Sequence, residues 1–299
     1  MKKATVVTTM ITTLTVMLLL TQLGISLANE PSSQTLVRRS PNSGVGPFPQ
    51  GPPCDGSVPI PIPQEALPNM QSVIPKHLQI QNDHQREYLR FSNGIANTGS
   101  GNWQMIPIFP DGTSLIQEAA QQFLDSNGNI ICQETVSETQ FHPAHNHWHM
   151  ADIAKFSIYD GIPEEWIEIG NSIKVSFCLI DWYNMDGNSN TKERTYFDCE
   201  RGMQGIQVGW VDQYHQELPG QELEITDLPQ GEYYLVSEVN HAGRYIESNP
   251  FDNVAWIHFL LIRDSEGNAK IIEGAISDCI TDIPEEYQEA MCGEIKLNR

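Results

Sequence analysis

Residues 222–239, ELEITDLPQGEYYLVSEV, contain two stretches of strand-forming residues separated by the turn-forming run DLPQG. Alternation of apolar and polar residues with a period of two is typical of a β-strand that buries one face. Pro and Gly between two such stretches indicate a reversal of the chain. We therefore predict a hairpin-like pair of strands over residues 222–226 and 233–239, and a β protein around it.

Three further stretches have the composition of β-strands. Residues 254–262 form a nearly continuous apolar run, and residues 173–180 alternate, with Val175, Phe177 and Leu179 on one face. Residues 88–92 run into Asn93-Gly94, a dipeptide typical of a hairpin turn. Helical periodicity is weak, and residues 284–291 are the one short helix we expect. The predicted fold is mainly β: a β-sandwich domain over residues 67–299 with long irregular loops.

The amino-terminal residues indicate export from the cell. Lys2 and Lys3 precede an apolar stretch over residues 4–20, and Ser26-Leu27-Ala28 has the small-x-small form of a cleavage site. We predict a signal peptide over residues 1–28, a secreted protein, and no stable membrane insertion after cleavage; an uncleaved membrane anchor is the alternative. Residues 29–66, rich in Pro, Gly and Ser, predict an extended linker or arm.

Charge and cysteine content restrict the partners and the compartment. The formal net charge of -21 argues against nucleic acid as a partner. The same charge would draw amines, basic peptides or metal ions to the surface, although solubility explains it equally well. The six cysteines contain no Cys-x-x-Cys pair, which predicts disulfides in an oxidising compartment rather than a zinc ribbon.

Four of the nine histidines fall within residues 142–149, HPAHNHWH. In an extended strand residues two apart share a face, so His145, His147 and His149 would present three imidazoles to one point. Without a thiolate nearby, this arrangement predicts a metal site best suited to copper or zinc. The alternative is a polar loop of histidines that bond to backbone carbonyls. His142 is off the alternation, and we expect it to be structural or to lie behind the ligands.

The histidines are followed by Lys174 in a predicted strand and later by Tyr214. Together these features resemble the lysyl oxidase family over roughly residues 67–279. Three functional motifs occur in the family's order, which makes the joint signal specific. The stretches that carry the resemblance are the copper-motif-like run 145–160, the cofactor-lysine-like strand 174–181, the cofactor-tyrosine-like segment 204–227 and the early strand 89–99.

This resemblance implies that His145, His147 and His149 bind copper, and that Lys174 and Tyr214 join to form the cofactor lysine tyrosylquinone. The implied reaction is oxidative deamination. A primary amine, such as a lysine side chain of an extracellular protein, becomes an aldehyde, while molecular oxygen is consumed and ammonia and hydrogen peroxide are released. Either of two acids, Asp212 or Asp181, would serve as the base that removes the α-proton.

The same residues also have simpler explanations. Burial would lower the pKa of Lys174 and free its amine, but a lone lysine on the polar face of a strand usually faces solvent. Tyr214 by itself would be a packing residue with a bonded hydroxyl. Asp212 and Asp181 would each be solvated or salt-bridged. The occurrence of Lys174 and Tyr214 together after the alternating histidines favours the cofactor.

The resemblance further implies a calcium loop over residues 247–253, with partners distant in sequence. Oxygen ligands from a turn suit a hard cation, although amides in place of carboxylates would weaken the site. A calcium-free turn is the alternative. The oxygen-rich run 181–190 lacks a closing glutamate, so we expect a surface turn there. The expected calcium ligands are Glu247, Asn249, Asp252, Asn253, Asn69 and, through its backbone carbonyl, Met70.

The resemblance supports one disulfide, Cys178–Cys199, and leaves the pairing of the other four cysteines open. It also has departures, since Ala144 stands where animal members carry a cysteine and residues 182–195 form a longer insert. Two rival functions would use the histidines without Lys174 or Tyr214. One is a catalytically silent, exported copper-binding or matrix-interaction domain, and the other is a zinc hydrolase.

Overall fold

The computed structural model is mainly β, which confirms the predicted fold class. The expected signal peptide and the expected helix over residues 284–291 lie outside the described residues. No helix among the described residues is long and apolar enough to cross a bilayer. The structure describes residues 48–54, 61–108, 114–143, 146–161, 165, 167–171, 176–186 and 193–277.

The described strands form three sheets of five strands each, in which all the neighbouring strands run antiparallel. One 3-10 turn, Gln64–Ala66, precedes them. The strands are β1 (Met70–Asp83), β2 (Arg86–Asn97), β3 (Trp103–Ile108), β4 (Ile116–Leu124), β5 (Ile130–His142), β6 (His147–Met150), β7 (Ala154–Asp160), β8 (Ile167–Asn171), β9 (Tyr183–Asn184), β10 (Gln204–Ile206), β11 (Trp210–Tyr214), β12 (Glu222–Glu224), β13 (Gly231–Val239), β14 (Val254–Arg263) and β15 (Ala269–Ile276).

The three sheets share one apolar core. In the first sheet the strand order is β1-β2-β11-β9, and β12 also pairs with β2. The second sheet has the order β10-β3-β4-β5-β6, and the third sheet has the order β15-β14-β13-β7-β8. Phe91 of the first sheet packs edge-on against Phe156 of the third, with ring centroids 4.9 Å apart. Met105 and Met150 of the second sheet belong to the same buried cluster. Burial of these side chains is the main stabilising term of the fold.

The expected pairing of residues 222–226 with 233–239 is wrong. Residues 222–224 form β12, which pairs with β2 in the first sheet, whereas β13 lies between β7 and β14 in the third. Arg263 holds the intervening turn, because its guanidinium donates to the carbonyls of Thr226 and Leu228 and to the Glu87 carboxylate. The run DLPQG therefore carries the chain from one sheet to another and does not close a hairpin.

The expected turn at Asn93-Gly94 is also wrong, since both residues lie within the continuous strand β2. Gly94 faces the side chains of Val211 and Val73 on the two flanking strands. A Cβ at this position would lie 3.0 Å from Val211 and 3.1 Å from Val73. The glycine is therefore explained by the close approach of these side chains and not by a turn.

The Pro-rich arm is covalently attached to β5 at Cys54. Cys54 forms a disulfide with Cys132, a pairing that sequence left open. The backbones of Pro52 and Cys54 also exchange hydrogen bonds with Gln133, at 2.9 Å and 3.2 Å. The disulfide packs in a small buried cluster with Phe123. This segment therefore continues the second sheet and is not a free linker.

Replacing Cys54 and Cys132 together by serine should lower the free energy of unfolding by about 4 kcal/mol. The bridge closes a sequence separation of 78 residues, and its loss restores chain entropy to the unfolded state. Chemical denaturation of both proteins under non-reducing conditions measures the difference. Equal denaturation midpoints and slopes would contradict the proposed role of the bridge.

Alkaline pH should destabilise the fold through buried tyrosines. Burial raises the pKa of the Tyr183, Tyr196, Tyr214 and Tyr245 phenols above the ordinary value of about 10. Their neutral forms are favoured in the folded state, so this stability is fully present below pH ~10 and is lost as pH rises toward the folded-state pKa values.

Tyr183→Phe tests this directly, because the Tyr183 hydroxyl has no hydrogen-bond partner among the described residues. We expect the variant to match the wild type in thermal stability at pH 7 and to exceed it above pH 10. Thermal unfolding followed by circular dichroism at both pH values is the measurement. An identical loss of stability in the two proteins would show that Tyr183 does not contribute.

Candidate metal and cofactor site

Two of the three alternating histidines lie in the described part of the chain, on the short strand β6. The Nε2 atoms of His147 and His149 are 2.9 Å apart, and the ring centroids are 4.9 Å apart. His149 is buried, with 7% of its surface exposed, and His147 is half-buried. The strand expected from the alternation is therefore present over these residues, and it places both imidazoles on one face. His145 lies outside the described residues.

A tight reversal brings β6 back along β5. Asn146 has a φ of 58°, a left-handed conformation that asparagine tolerates better than most residues, and its N–H donates to the His142 carbonyl at 2.8 Å. His142 lies directly opposite His147 in the sheet. Its ring stacks on His149 at a centroid distance of 5.3 Å. A third imidazole thus lies beside the pair, although it is off the sequence alternation.

The segment Ser176–Ile180 connects the histidine strand to the tyrosine. The expected strand over residues 173–180 is not found in residues 176–180, where only Phe177 makes a bridge; residues 172–175, which include Lys174, lie outside the described residues. The bridge is to Met150, through two backbone hydrogen bonds of 2.8 Å and 3.0 Å. Phe177 and Leu179 are nonetheless buried, as the alternation predicted. The segment therefore lies along a sheet edge without forming a ladder.

Gln204 links the same segment to β6 from the other side. Its Nε2 donates to the Trp148 carbonyl at 2.6 Å, and its Oε1 accepts from the Leu179 N–H at 3.0 Å. The Cys178–Cys199 disulfide implied by the family resemblance is present. Sequence reasoning noted Gln204 only as part of a motif and missed this connecting role, which depends on two backbone groups distant in sequence.

Tyr214 ends strand β11 beside this segment. Its ring contacts Phe177 at a centroid distance of 4.8 Å, and its hydroxyl donates to the Cys178 carbonyl. Burial raises the pKa of the Tyr214 phenol well above its ordinary value, and the Asp212 carboxyl beside it raises this pKa further. The backbone hydrogen bond to Cys178 opposes the shift. Tyr214 therefore carries its proton at neutral pH.

Asp181 is fully buried and holds the loop that follows the segment. Its carboxylate accepts hydrogen bonds from the N–H groups of Thr195, Tyr196 and Gln207 at 2.9, 2.9 and 2.8 Å, and from the Gln207 side chain at 2.8 Å. Burial raises the pKa of Asp181, and these hydrogen bonds oppose the rise. The four donors occupy both oxygens of the carboxyl group.

The six residues of the expected calcium site fall into one region, where the 247–253 loop meets the start of β1. Glu247 accepts from the Met70 N–H at 3.0 Å and from the side chains of Asn240 and Asn253 at 2.6 and 2.8 Å. Burial raises the pKa of Glu247, although these hydrogen bonds oppose the rise. Asn249 bonds within the turn instead, accepting from the Phe251 N–H at 3.2 Å.

Asp252 bonds to a different set of side chains from those that bond to Glu247. Its Oδ2 accepts from the side chains of Asn69 and Gln71 at 2.9 and 2.5 Å. Three buried acceptor oxygens have no hydrogen-bond partner in the described residues: Asp252 Oδ1, Asn253 Oδ1 and Gln71 Oε1. Oxygen acceptors without donors beside two carboxylates suit a hard cation. Sequence reasoning missed Gln71, because nothing in the sequence joins it to Asp252.

Within the described ranges no group of three His, Cys, Asp or Glu side chains is arranged to hold a metal ion. The predicted triad includes His145, which lies outside those ranges. The calcium region would use amide and backbone oxygens beside its two carboxylates, Glu247 and Asp252.

Comparisons with known proteins relate this region of the chain to the lysyl oxidases. The lysyl oxidase family model matches residues 119–265, which include β6, the segment Ser176–Ile180 and Tyr214. The chain is 31% identical over 136 residues to lysyl oxidase homolog 3A of Danio rerio, covering 42% of this chain and 18% of the relative. It is 30% identical over 136 residues to lysyl oxidase homolog 3 of Homo sapiens, covering 42% and 17%.

A third relative, lysyl oxidase homolog 2 of Gallus gallus, is 30% identical over 115 residues, covering 38% of this chain and 14% of the relative. The chain thus spans less than a fifth of the length of these curated relatives. The matched region is nevertheless the one that holds the histidine strand and the tyrosine together. Through residues 119–265, the chain belongs to the lysyl oxidase family.

Proposed function

We propose that this protein is a secreted, copper- and quinone-dependent amine oxidase. It would convert a primary amine, oxygen and water to an aldehyde, ammonia and hydrogen peroxide. The observation that supports this most directly is the position of the segment Ser176–Ile180. Its Phe177 pairs with Met150 of the histidine strand, and its Phe177 and Cys178 both contact Tyr214.

The two described imidazoles fit a copper ion. His147 Nε2 and His149 Nε2 lie 2.9 Å apart on one face of β6, so both nitrogens could bind one metal ion. Imidazole nitrogen is a ligand that suits copper, which would supply redox chemistry at this site. We propose His145 as the third ligand. Gln204 and Thr139, which bond the Trp148 and His149 carbonyls, would hold the strand in position.

Lysine tyrosylquinone, the cofactor proposed to form from Lys174 and Tyr214, would supply the electron sink that ordinary side chains lack. Lys174 precedes Phe177 by three residues, a length of chain that spans at most about 11 Å. Phe177 contacts the Tyr214 ring directly. This length of chain is compatible with Lys174 reaching the ring, and burial of the amine there would favour its neutral, nucleophilic form.

The chain supplies position and proton transfer around the ring. Phe177 excludes water from one side of Tyr214, and the Cys178 carbonyl fixes the hydroxyl. Asp212 is 1% exposed and lies beside that hydroxyl. We propose Asp212 as the base that accepts the α-proton of the substrate. We assign to Asp181 the positioning of the loop 193–207, because its oxygens are occupied by backbone and amide donors.

We propose primary amines as the substrate class. The family resemblance implies lysine side chains of extracellular proteins, and free polyamines are equally compatible with the acidic surface. The net charge of -21 would concentrate such cations near the protein and would raise their association rate at low ionic strength. The expected signal peptide would place the protein outside the cytoplasm, where molecular oxygen is the second substrate and where both observed disulfides persist.

Lys174→Arg and Tyr214→Phe test the cofactor directly. Each variant should bind copper as the wild type does but lose the visible chromophore that reacts with phenylhydrazine, and peroxide formation from amines should fall by at least about 10³-fold, because no side chain replaces the electron sink. Copper analysis, visible absorbance, peptide mass spectrometry for a Lys174–Tyr214 crosslink and a peroxide assay are the measurements.

Lys270→Arg and Tyr234→Phe are the matched controls, since both residues lie in the third sheet away from the segment Ser176–Ile180. Both should retain full activity. Full activity in Lys174→Arg would refute the cofactor assignment. A wild-type protein that binds copper after exposure to oxygen but never forms the chromophore or the crosslink would instead be the silent copper-binding or matrix-interaction domain.

Calcium should stabilise the protein through the region around Glu247 and Asp252. At a free calcium concentration of 100 times the dissociation constant, binding would add about 2.7 kcal/mol to the free energy of unfolding. Glu247→Gln should abolish this gain, and Glu232→Gln, which alters a carboxyl that is 79% exposed, should not. Because burial raises the pKa of Glu247, protons should compete with calcium and weaken binding as pH falls. Thermal unfolding with calcium and with a chelator measures the effect; equal calcium shifts in both variants would contradict the site.

A further inference from the structure

Asn93 is a buried asparagine whose side chain has no hydrogen-bond partner. It lies within β2 with none of its surface exposed, and neither Nδ2 nor Oδ1 bonds to any described residue. Buried amides in folded proteins are nearly always hydrogen-bonded, because an unpaired polar group loses its bonds to water without replacement. A side chain kept in this state requires a reason other than packing.

Asn97, on the same strand four residues later, shows the ordinary arrangement. It is equally buried. Its Nδ2 donates to the carbonyls of Gly101 and Ile206, both at 2.9 Å, and its Oδ1 accepts from the N–H groups of Asn69 and Gly99, both at 3.1 Å. The strand thus satisfies one buried asparagine fully and leaves the other without partners. The difference lies in what each residue faces.

Asn93 faces Tyr214. The two residues are directly opposite each other in the β2–β11 pairing. Directly opposed residues of antiparallel strands project to the same side of the sheet, with Cβ atoms about 4.5–5.5 Å apart. Asp212, two residues before Tyr214, lies on that same face. On β2 the flanking residues of this face, Phe91 and Ile95, belong to the apolar core, so a polar side chain between them stands out.

The phenol as it stands does not use the amide, because the Tyr214 hydroxyl donates to the Cys178 carbonyl. The amide offers two N–H donors and one acceptor. A ring carbonyl oxygen introduced next to the hydroxyl-bearing carbon would be an acceptor without a donor, in apolar surroundings. The donors of Asn93 are thus complementary to the oxidised form of the ring rather than to tyrosine.

We propose that Asn93 is a positioning residue whose side-chain N–H groups hydrogen-bond the oxygen that oxidation adds to the Tyr214 ring. This inference rests on the proposed function, and it adds no covalent step. The hydrogen bond would hold the modified ring in one of its two flipped orientations. It would also withdraw electron density from the ring, which favours attack by an amine.

Asn93→Leu removes the donors at nearly constant volume. In the protein before exposure to copper and oxygen, the thermal midpoint should be unchanged or higher, because an unpaired buried amide is replaced by an apolar side chain. After maturation, copper content should equal that of the wild type. The visible absorbance maximum should shift, the ring carbonyl stretch in resonance Raman spectra should move to higher frequency, and kcat/KM should fall roughly three- to tenfold.

Gln213→Leu is the matched control. Gln213 is also buried with no hydrogen-bond partner on either amide atom among the described residues, and it is adjacent to Tyr214. It pairs with Gly94 and therefore projects to the opposite face of the sheet. The absorbance maximum and the carbonyl stretch of the matured Gln213→Leu variant should match those of the wild type. This comparison separates an effect on the ring from the general effect of removing a buried amide.

Asn93→Ser and Asn93→Ala provide a second comparison in case leucine prevents folding. Serine and alanine have similar volumes, but serine has a hydroxyl donor. The carbonyl stretch of the serine variant should therefore lie closer to that of the wild type than the stretch of the alanine variant does. Spectra of the matured leucine and alanine variants that coincide with the wild type would overturn the role of Asn93. A wild-type protein that forms no chromophore would overturn the proposed function and this inference together, so the two failures are distinguishable.

Discussion

Two backbone hydrogen bonds between Met150 and Phe177 are the constraint on which the candidate site depends. They attach a segment without regular secondary structure to the end of the second sheet. Because Phe177 also contacts the Tyr214 ring and the next residue accepts the Tyr214 hydroxyl, one short segment sets the distance between the histidine strand and the tyrosine. A shift of that segment by one residue would reverse its buried and half-buried faces and break all three contacts.

Buried polar side chains keep this irregular region in one conformation. Gln204 bonds the backbone on both sides of the segment, and Asp181 collects four donors from the loop that follows. Loops cannot satisfy their own backbone groups as strands do, so buried loop groups need such side-chain partners. The Cys178–Cys199 disulfide adds a covalent limit in the same place. The site is therefore held by polar networks at the junction of sheets and not by the sheets alone.

Local patterns predicted individual strands well and their partners poorly. Strands β13 and β14 lie close to the residues that alternation and apolar composition indicated. The pairing of residues 222–226 with 233–239 was wrong, because residues 222–224 pair with β2 instead. Arg263, distant in sequence, bonds the carbonyls of the turn between the two stretches. The turn expected at Asn93-Gly94 was wrong for a similar reason. Gly94 is required by the close approach of Val73 and Val211 on neighbouring strands, and these residues are distant from it in sequence.

The candidate site divides in the same way. The spacing of His147 and His149 required one shared face once the strand was formed, since side chains in a strand repeat every two residues. The motifs that resemble the lysyl oxidase family named Tyr214 and its neighbour Asp212 from sequence alone. The contact of Tyr214 with Phe177, the approach of Gln71 to Asp252 and the position of Asn93 opposite the tyrosine depend on pairings between distant strands. These three contacts followed only from the tertiary structure. Strand register depends on which strand faces are buried against each other, and a short stretch of the chain does not contain that information.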